Sequence, residues 1–262
     1  MLVTLLQTDI TWASPSENAR RVERLLGSAP SSDLYVLPEM WSTGFATSPE
    51  GIAESDDASL FWMKQTAREH NAAISGSVAV ALHDTEGALR YVNRHYFVKP
   101  DGSMEYYDKR HLFGYGGETL HYQAGNKRVV VEYSGWRILL QTCYDLRFPV
   151  WLRNRHDYDA ILLVANWPVS RQSVWNCLLR ARAIENQCYV IAVNRVGDDA
   201  ACHYEGGSMI IDAKGHPVCE CDFGKETTAS ATLDMSDLQA FREKFRVLDD
   251  ADNYELIYQD KI

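Results

Sequence analysis

No apolar run in this chain of 262 residues approaches the roughly 18 residues of a membrane span. No block of consecutive Lys or Arg offsets the formal net charge of -10, so phosphate backbones and anionic membranes would on average repel the chain. Neither nucleic acid nor a membrane is an expected partner. A Gly/Ser-rich, Pro-rich or low-complexity linker is also missing, and a single domain over 1–262 is the expectation. The opening MLVTLLQTDITWASP lacks the basic stretch of a secretory signal, which points to a cytoplasmic location. Cysteine is sparse: the six at positions 143, 177, 188, 202, 219 and 221 are scattered through a chain large enough to do without disulfide staples. Reduced thiols are expected. An anionic small substrate is still compatible with an acidic protein, but it would need a locally cationic pocket.

What is present is an alternation of strand and helix patterns. LVTLLQTDI reads as an apolar strand. SPSENARRVERLLGS follows as a helix, with Ser14 and Glu17 as a capping box and Pro15 at the first helical position. DLYVLPEM, DASLFWMKQTAREHN and AAISGSVAV continue as strand, helix and strand. LRYVNRHYFVKPDGSMEYYDKRHLF predicts a hairpin about Pro-Asp-Gly, and RVVVEYSGWRILLQT a second strand pair about Ser-Gly. The alternation then returns with a short helix in LRFPVWLRNRH, the strand DAILLVANW, the helix SRQSVWNCLLRARAIENQ and the strand CYVIAVNRVG. SMIIDAKGHPVCECDF predicts a hairpin about Lys-Gly, and a further strand leads to a closing helix capped by Ser236. Two alternating halves bracketing hairpins predict a layered α/β fold.

Cys143 stands where RILLQT stops and the next turn begins, and in α/β sheets the carboxyl ends of strands are where ligands bind. A thiol there, near free backbone N–H groups, is chemically useful. It would need a base and a group to receive negative charge on a carbonyl oxygen. Glu39 in VLPEM and Lys109 in YDKRHLF leave strands in the same manner. Taken singly, each has a bland reading: a packing cysteine, a solvated loop glutamate, a solvated lysine.

Together and in this order, VLPEM, YDKRHLF and TCYDLRFP resemble the three signatures of the nitrilase superfamily of carbon-nitrogen hydrolases. The resemblance runs from the first strand to about NRVG. The flanking text TCYDLRFPVWLRN, ANWP and RAIENQCYV is most similar to the bacterial omega-amidase branch, which acts on 2-oxo acid amides. The resemblance implies a four-layer α-β-β-α sandwich and a cofactor-free, metal-free amidohydrolase cleaving the terminal amide of 2-oxoglutaramate or 2-oxosuccinamate through a Cys thioester. Deaminated glutathione and N-carbamoyl amino acids are the alternative substrates. Cys143 is then the nucleophile, Glu39 the general base and acid, and Lys109 the cation at the oxyanion, with the Tyr144 backbone N–H beside it. Glu118 in GYGGETLHY orients Lys109 or positions amide and water. The family also implies a homodimer or larger homo-oligomer, joined through PVWLRNRH and VWNCLLRARAIENQ.

Asn166 and Trp167 in VANWP end another strand and are expected to line the pocket, although Trp167 fits the core equally well. Arg171 or Arg195 is the expected grip for the substrate carboxylate, and Phe45 an apolar wall. Asp145 and Arg147 read as scaffold, Arg147 pairing with a buried carboxylate. Three rivals stand beside this reading: His111 as the base of a Cys-His hydrolase, a metal-binding or redox protein using Cys219 and Cys221, and a catalytically idle binding or scaffold subunit, against which Glu39, Lys109 and Cys143 all stand intact.

Overall fold

The computed structural model describes residues 1–83 and 86–256. The opening run forms β1 (Leu2–Gln7), and Pro15 starts α1 (Pro15–Ser28). The predicted capping box is not made. Ser14 precedes the helix, but its side chain bonds no backbone N–H, and the Glu17 carboxylate turns instead to Arg21 at 3.7 Å. What holds α1 is its apolar stripe, with Val22, Leu25 and Leu26 buried at helical spacing. β2 (Leu34–Val36), α2 (Ala58–Glu69) and β3 (Ala73–His83) follow, then β4 (Leu89–Val98) and β5 (Met104–Asp108) pair antiparallel around the predicted Pro-Asp-Gly turn.

β6 (Val130–Tyr133) and β7 (Trp136–Thr142) join through Ser134 and Gly135, both at positive φ, the conformation a tight hairpin between twisted strands demands. The helix predicted from LRFPVWLRNRH shrinks to the single turn α3 (Pro149–Leu152), preceded by a 3-10 turn over Cys143–Arg147. The two cannot merge because Phe148, held before Pro149, lies outside the helical region at φ -115° and ψ 83°. β8 (Ala160–Ala165), α4 (Gln172–Asn186) and β9 (Tyr189–Asn194) restore the alternation.

A hairpin not foreseen from sequence comes next, β10 (Val196–Asp198) with β11 (His203–Glu205). β12 (Met209–Ile211) and β13 (Pro217–Glu220) form the predicted Lys-Gly hairpin, and β14 (Thr227–Thr232) leads to α5 (Met235–Lys244). The cap of α5 is Asp234 rather than Ser236. Its carboxylate accepts the N–H groups of Ser236 and Asp237, and a charged acceptor in the first position outcompetes a hydroxyl further in.

Two six-stranded sheets result, ordered β14-β1-β2-β3-β4-β5 and β13-β12-β9-β8-β7-β6. Their inner faces share one core, in which Val3, Val36 and Phe97 of the first sheet meet Leu139, Leu162 and Ile191 of the second. Each fully buried side chain of this size contributes about 1.5–3 kcal/mol. α1 and α2 cover the outside of the first sheet through Leu26 and Met63, and α4 covers the second through Trp175 and Leu179. This is the four-layer α-β-β-α sandwich. No helix of the described residues is long and apolar enough to cross a membrane.

Candidate active site

β2 and β5 run in the same direction within the first sheet, as do β7 and β8 in the second. Each ends beside one of the predicted residues: Glu39 three residues past β2, Lys109 directly after β5, Cys143 directly after β7 and Asn166 directly after β8. The carboxyl ends of both sheets therefore meet in one place. Cys143 sits at φ +47°, in the left-handed region that side-chain-bearing residues seldom adopt, and Met40, after Glu39, is at φ +43°. Strain of this kind costs about 1–3 kcal/mol and persists where the surroundings force it. Here the bend turns the thiol out of the strand direction while Asp145 secures the turn. Its carboxylate accepts the N–H of Thr142 at 3.0 Å, the Tyr107 hydroxyl at 2.8 Å and the His111 N–H at 3.0 Å.

Glu39, Lys109 and Glu118 have no exposed surface. The Lys109 ammonium donates to Glu39 Oε1 at 2.9 Å and to Glu118 Oε2 at 2.8 Å. Glu118, far from being a solvated loop residue, also accepts the Phe113 N–H at 2.6 Å. Glu39 receives a second donor on Oε1 from Asn93 Nδ2 at 2.8 Å, and one on Oε2 from the Asn166 N–H at 2.9 Å. Oε2 is thus the oxygen with a spare lone pair. Burial alone would lower the pKa of Lys109, but Glu118 and Glu39 outweigh it and hold the ammonium well above its ordinary value. Burial and, less strongly, the Glu39 charge raise the carboxyl of Glu118, against the pull of Lys109.

The Cys143 thiol is pushed well above its usual value, first by burial and then by the Glu39 charge, with Lys109 opposing both. At rest it is a neutral thiol, so nucleophilic attack requires a base to take its proton. The sulfur is 3.9 Å from the Asn166 carbonyl oxygen, and Cys143, though buried, lines a cavity that a ligand can enter. The cavity lies where the carboxyl ends of the two sheets meet.

The predicted Phe45, Asn166, Trp167 and Arg171 all line this cavity, as does Tyr144. Trp167 serves both expected purposes, since it packs in the core against Trp175 and faces the cavity. The Tyr144 N–H belongs to the first turn of the 3-10 segment, whose own hydrogen bonds leave it unused. Phe45 lies with its ring centroid 5.3 Å from the Lys109 nitrogen.

Arg195 is not in the pocket. Its buried guanidinium is spent on Asp9 Oδ1 at 2.9 Å and on the carbonyls of Ile10 and Val196. Arg147 reverses its expected role: it pairs with no carboxylate among the described residues and lines the cavity, 5.0 Å from the Trp167 ring centroid. Arg171 likewise has no carboxylate partner there and lies 5.2 Å from the Phe113 ring. Cys202 and Tyr204, from the unforeseen β10-β11 hairpin, complete the wall. The lining thus holds two cations and no carboxylate, in a protein whose overall charge is strongly negative.

His111 is not among the residues lining the Cys143 cavity; its Nδ1 bonds Asp145 at 2.7 Å and its ring stacks on Phe148 at 3.8 Å. Among the described residues no three His, Cys, Asp or Glu side chains are grouped to hold a metal ion, at Cys219 and Cys221 or elsewhere.

The model of the carbon-nitrogen hydrolase family matches residues 2–243 of the chain. The chain belongs to the carbon-nitrogen hydrolase family. It is 47% identical over 255 residues to omega-amidase YafV of Escherichia coli, covering 97% of this chain and 98% of that protein. The 2-oxoglutaramate amidase of Bacillus subtilis is 34% identical over 255 residues, 95% of this chain and 96% of that one. A solved carbon-nitrogen hydrolase superfamily protein from Xanthomonas campestris, carrying an arsenic adduct in its active site, superposes with a TM-score of 0.92 at 41% identity over 98% of both chains. The chain is a hydrolase of carbon–nitrogen bonds, of the amidase kind that the three motifs imply.

Proposed function

We propose that the chain cleaves the terminal amide of a small 2-oxo acid amide, 2-oxoglutaramate or 2-oxosuccinamate, through a thioester on Cys143. The observation that carries this reading is a neutral thiol beside a buried Glu-Lys-Glu cluster, opening into a cavity with two uncommitted arginines. As sulfur attacks the amide carbon, its proton passes to Glu39 Oε2 and the carbonyl π pair moves onto oxygen. The Lys109 ammonium and the Tyr144 N–H receive that charge. Glu39 then returns the proton to the departing nitrogen, the C–N bond breaks, and ammonia leaves a thioester. Water, giving a proton to the same carboxylate, attacks the thioester. The C–S bond breaks, sulfur recovers its proton, and the free acid departs. Glu118, bonded to Lys109 through both oxygens, keeps the ammonium aimed.

Arg147 and Arg171 supply the cationic grip for the substrate's remote carboxylate. The relatives named omega-amidase and 2-oxoglutaramate amidase support the same substrate class. The test is ammonia release from a panel of 2-oxoglutaramate, 2-oxosuccinamate, glutamine, an N-carbamoyl amino acid and deaminated glutathione. The 2-oxo amides should have the highest kcat/KM; a clear win for another amide contradicts the substrate. Because a hydrogen bond to a charged group contributes about 1.5–3 kcal/mol, Arg147→Leu and Arg171→Leu should each raise KM for the 2-oxo amides about 10- to 100-fold with kcat little changed. An unchanged KM would remove that arginine from the grip.

The same reading includes a homodimer or larger homo-oligomer joined through α3 and α4, where Val150 and Ile184 stand about half exposed. Sedimentation at a single-chain mass across micromolar concentrations would contradict it.

A further inference from the structure

Asn93 belongs to none of the sequence motifs, yet its side chain is wholly buried among the reacting groups. Nδ2 donates to Glu39 Oε1 at 2.8 Å and to Glu118 Oε1 at 3.3 Å, and the backbone carbonyl accepts the Lys109 N–H at 2.9 Å. The orientation of the amide follows from chemistry: carboxylate oxygens accept, so the nitrogen must face them. Oδ1 points away from them and meets no donor among the described residues.

We propose that Asn93 is a positioning residue that decides which oxygen of Glu39 handles the proton, an inference that rests on Glu39 being the base. Lys109 and Asn93 both hold Oε1 at rest. Two donors fill both lone pairs of Oε1, so a proton could add there only by displacing one of them. The thiol proton therefore passes to Oε2, which keeps a lone pair beside the bond it accepts from the Asn166 N–H. Through the same NH₂ group Asn93 stands between Glu39 and Glu118 and eases the repulsion of two carboxylates.

The test is the pH profile of ammonia release for wild type, Asn93→Ala, Asn93→Asp and Glu39→Gln. Asn93→Ala should lower kcat about 10- to 100-fold through misplacement of the base, with KM nearly unchanged. The acid limb of its profile should move to higher pH, because a carboxylate that loses a donor to its ionised form takes up a proton more readily. Asn93→Asp keeps the shape but adds a third negative charge, so its loss should be larger and its acid limb displaced further. Wild-type kcat and acid limb in Asn93→Ala overturn the proposal, as does a lowered kcat with an unmoved acid limb, which marks a packing defect. If the alanine variant fails to fold, the aspartate variant decides: an unmoved acid limb there also overturns it. Activity surviving in Glu39→Gln would instead overturn the base assignment itself.

Discussion

Cys143→Ala is expected to release ammonia at roughly one ten-thousandth of the wild-type rate or less, the scale of loss when a covalent nucleophile is removed. Nothing else in the cavity replaces it. Cys202, the other thiol in the lining, lies on the β10-β11 hairpin, away from the strand ends that carry Glu39 and Lys109. The fold should barely notice the change. Burial keeps the thiol neutral, so its loss strands no charge, and a small buried side chain replaced by a slightly smaller one alters stability by about 1 kcal/mol. The pairing of an abolished rate with a preserved melting temperature separates a chemical role from a packing one. A melting temperature that collapses along with the rate would speak for packing.

Lys109→Met should fail on both counts. The ammonium is shared by two carboxylates that have no exposed surface. Its removal leaves uncompensated buried charge, which costs about 3–5 kcal/mol. For a chain of this size that corresponds to a fall in melting temperature on the order of 10 °C. Activity should drop by at least a hundredfold, the usual cost of losing one oxyanion donor. The stability deficit should also depend on pH. Burial already raises Glu118, and without Lys109 nothing comparable opposes it. A carboxyl whose folded pKa is raised stabilises the fold below its unfolded pKa and loses that contribution as pH rises through the folded value. The deficit should therefore be smallest in acid and widen toward neutrality. A pH-independent deficit would contradict the charge account.

How much of this the sequence disclosed depends on the kind of signal. A layered α/β fold was legible because β1, β8, β9 and the stripes of α1 and α4 carry long apolar patterns that burial enforces, while the four-layer sandwich followed from the family resemblance. The short pieces were harder: α3 was overextended because the restriction Pro149 places on Phe148 is local and steric rather than periodic. The cap of α5 moved to Asp234 because two acceptors two residues apart compete. Glu39, Lys109 and Cys143 stood out only jointly, since each alone reads as ordinary. Arg147 and Arg195 exchanged expected roles, because sequence cannot say which arginine finds a carboxylate, and Asp9, which claims Arg195, is 186 residues away. The β10-β11 hairpin escaped because the break after Asn194 is made by tertiary bonds from its amide to Trp167 and Gly206. Asn93 did leave a trace: with His95 and Phe97 it shares the inward face of β4, and a polar pair on a buried face asks for partners.

The most direct test of the account is the mass of the Cys143-bearing peptide from enzyme quenched in acid during its first turnovers of 2-oxoglutaramate. The account predicts that this peptide carries the acyl group left after loss of ammonia, and that no such adduct forms in Cys143→Ala. An acyl group on any other residue, or undiminished ammonia release by Cys143→Ala, would contradict it.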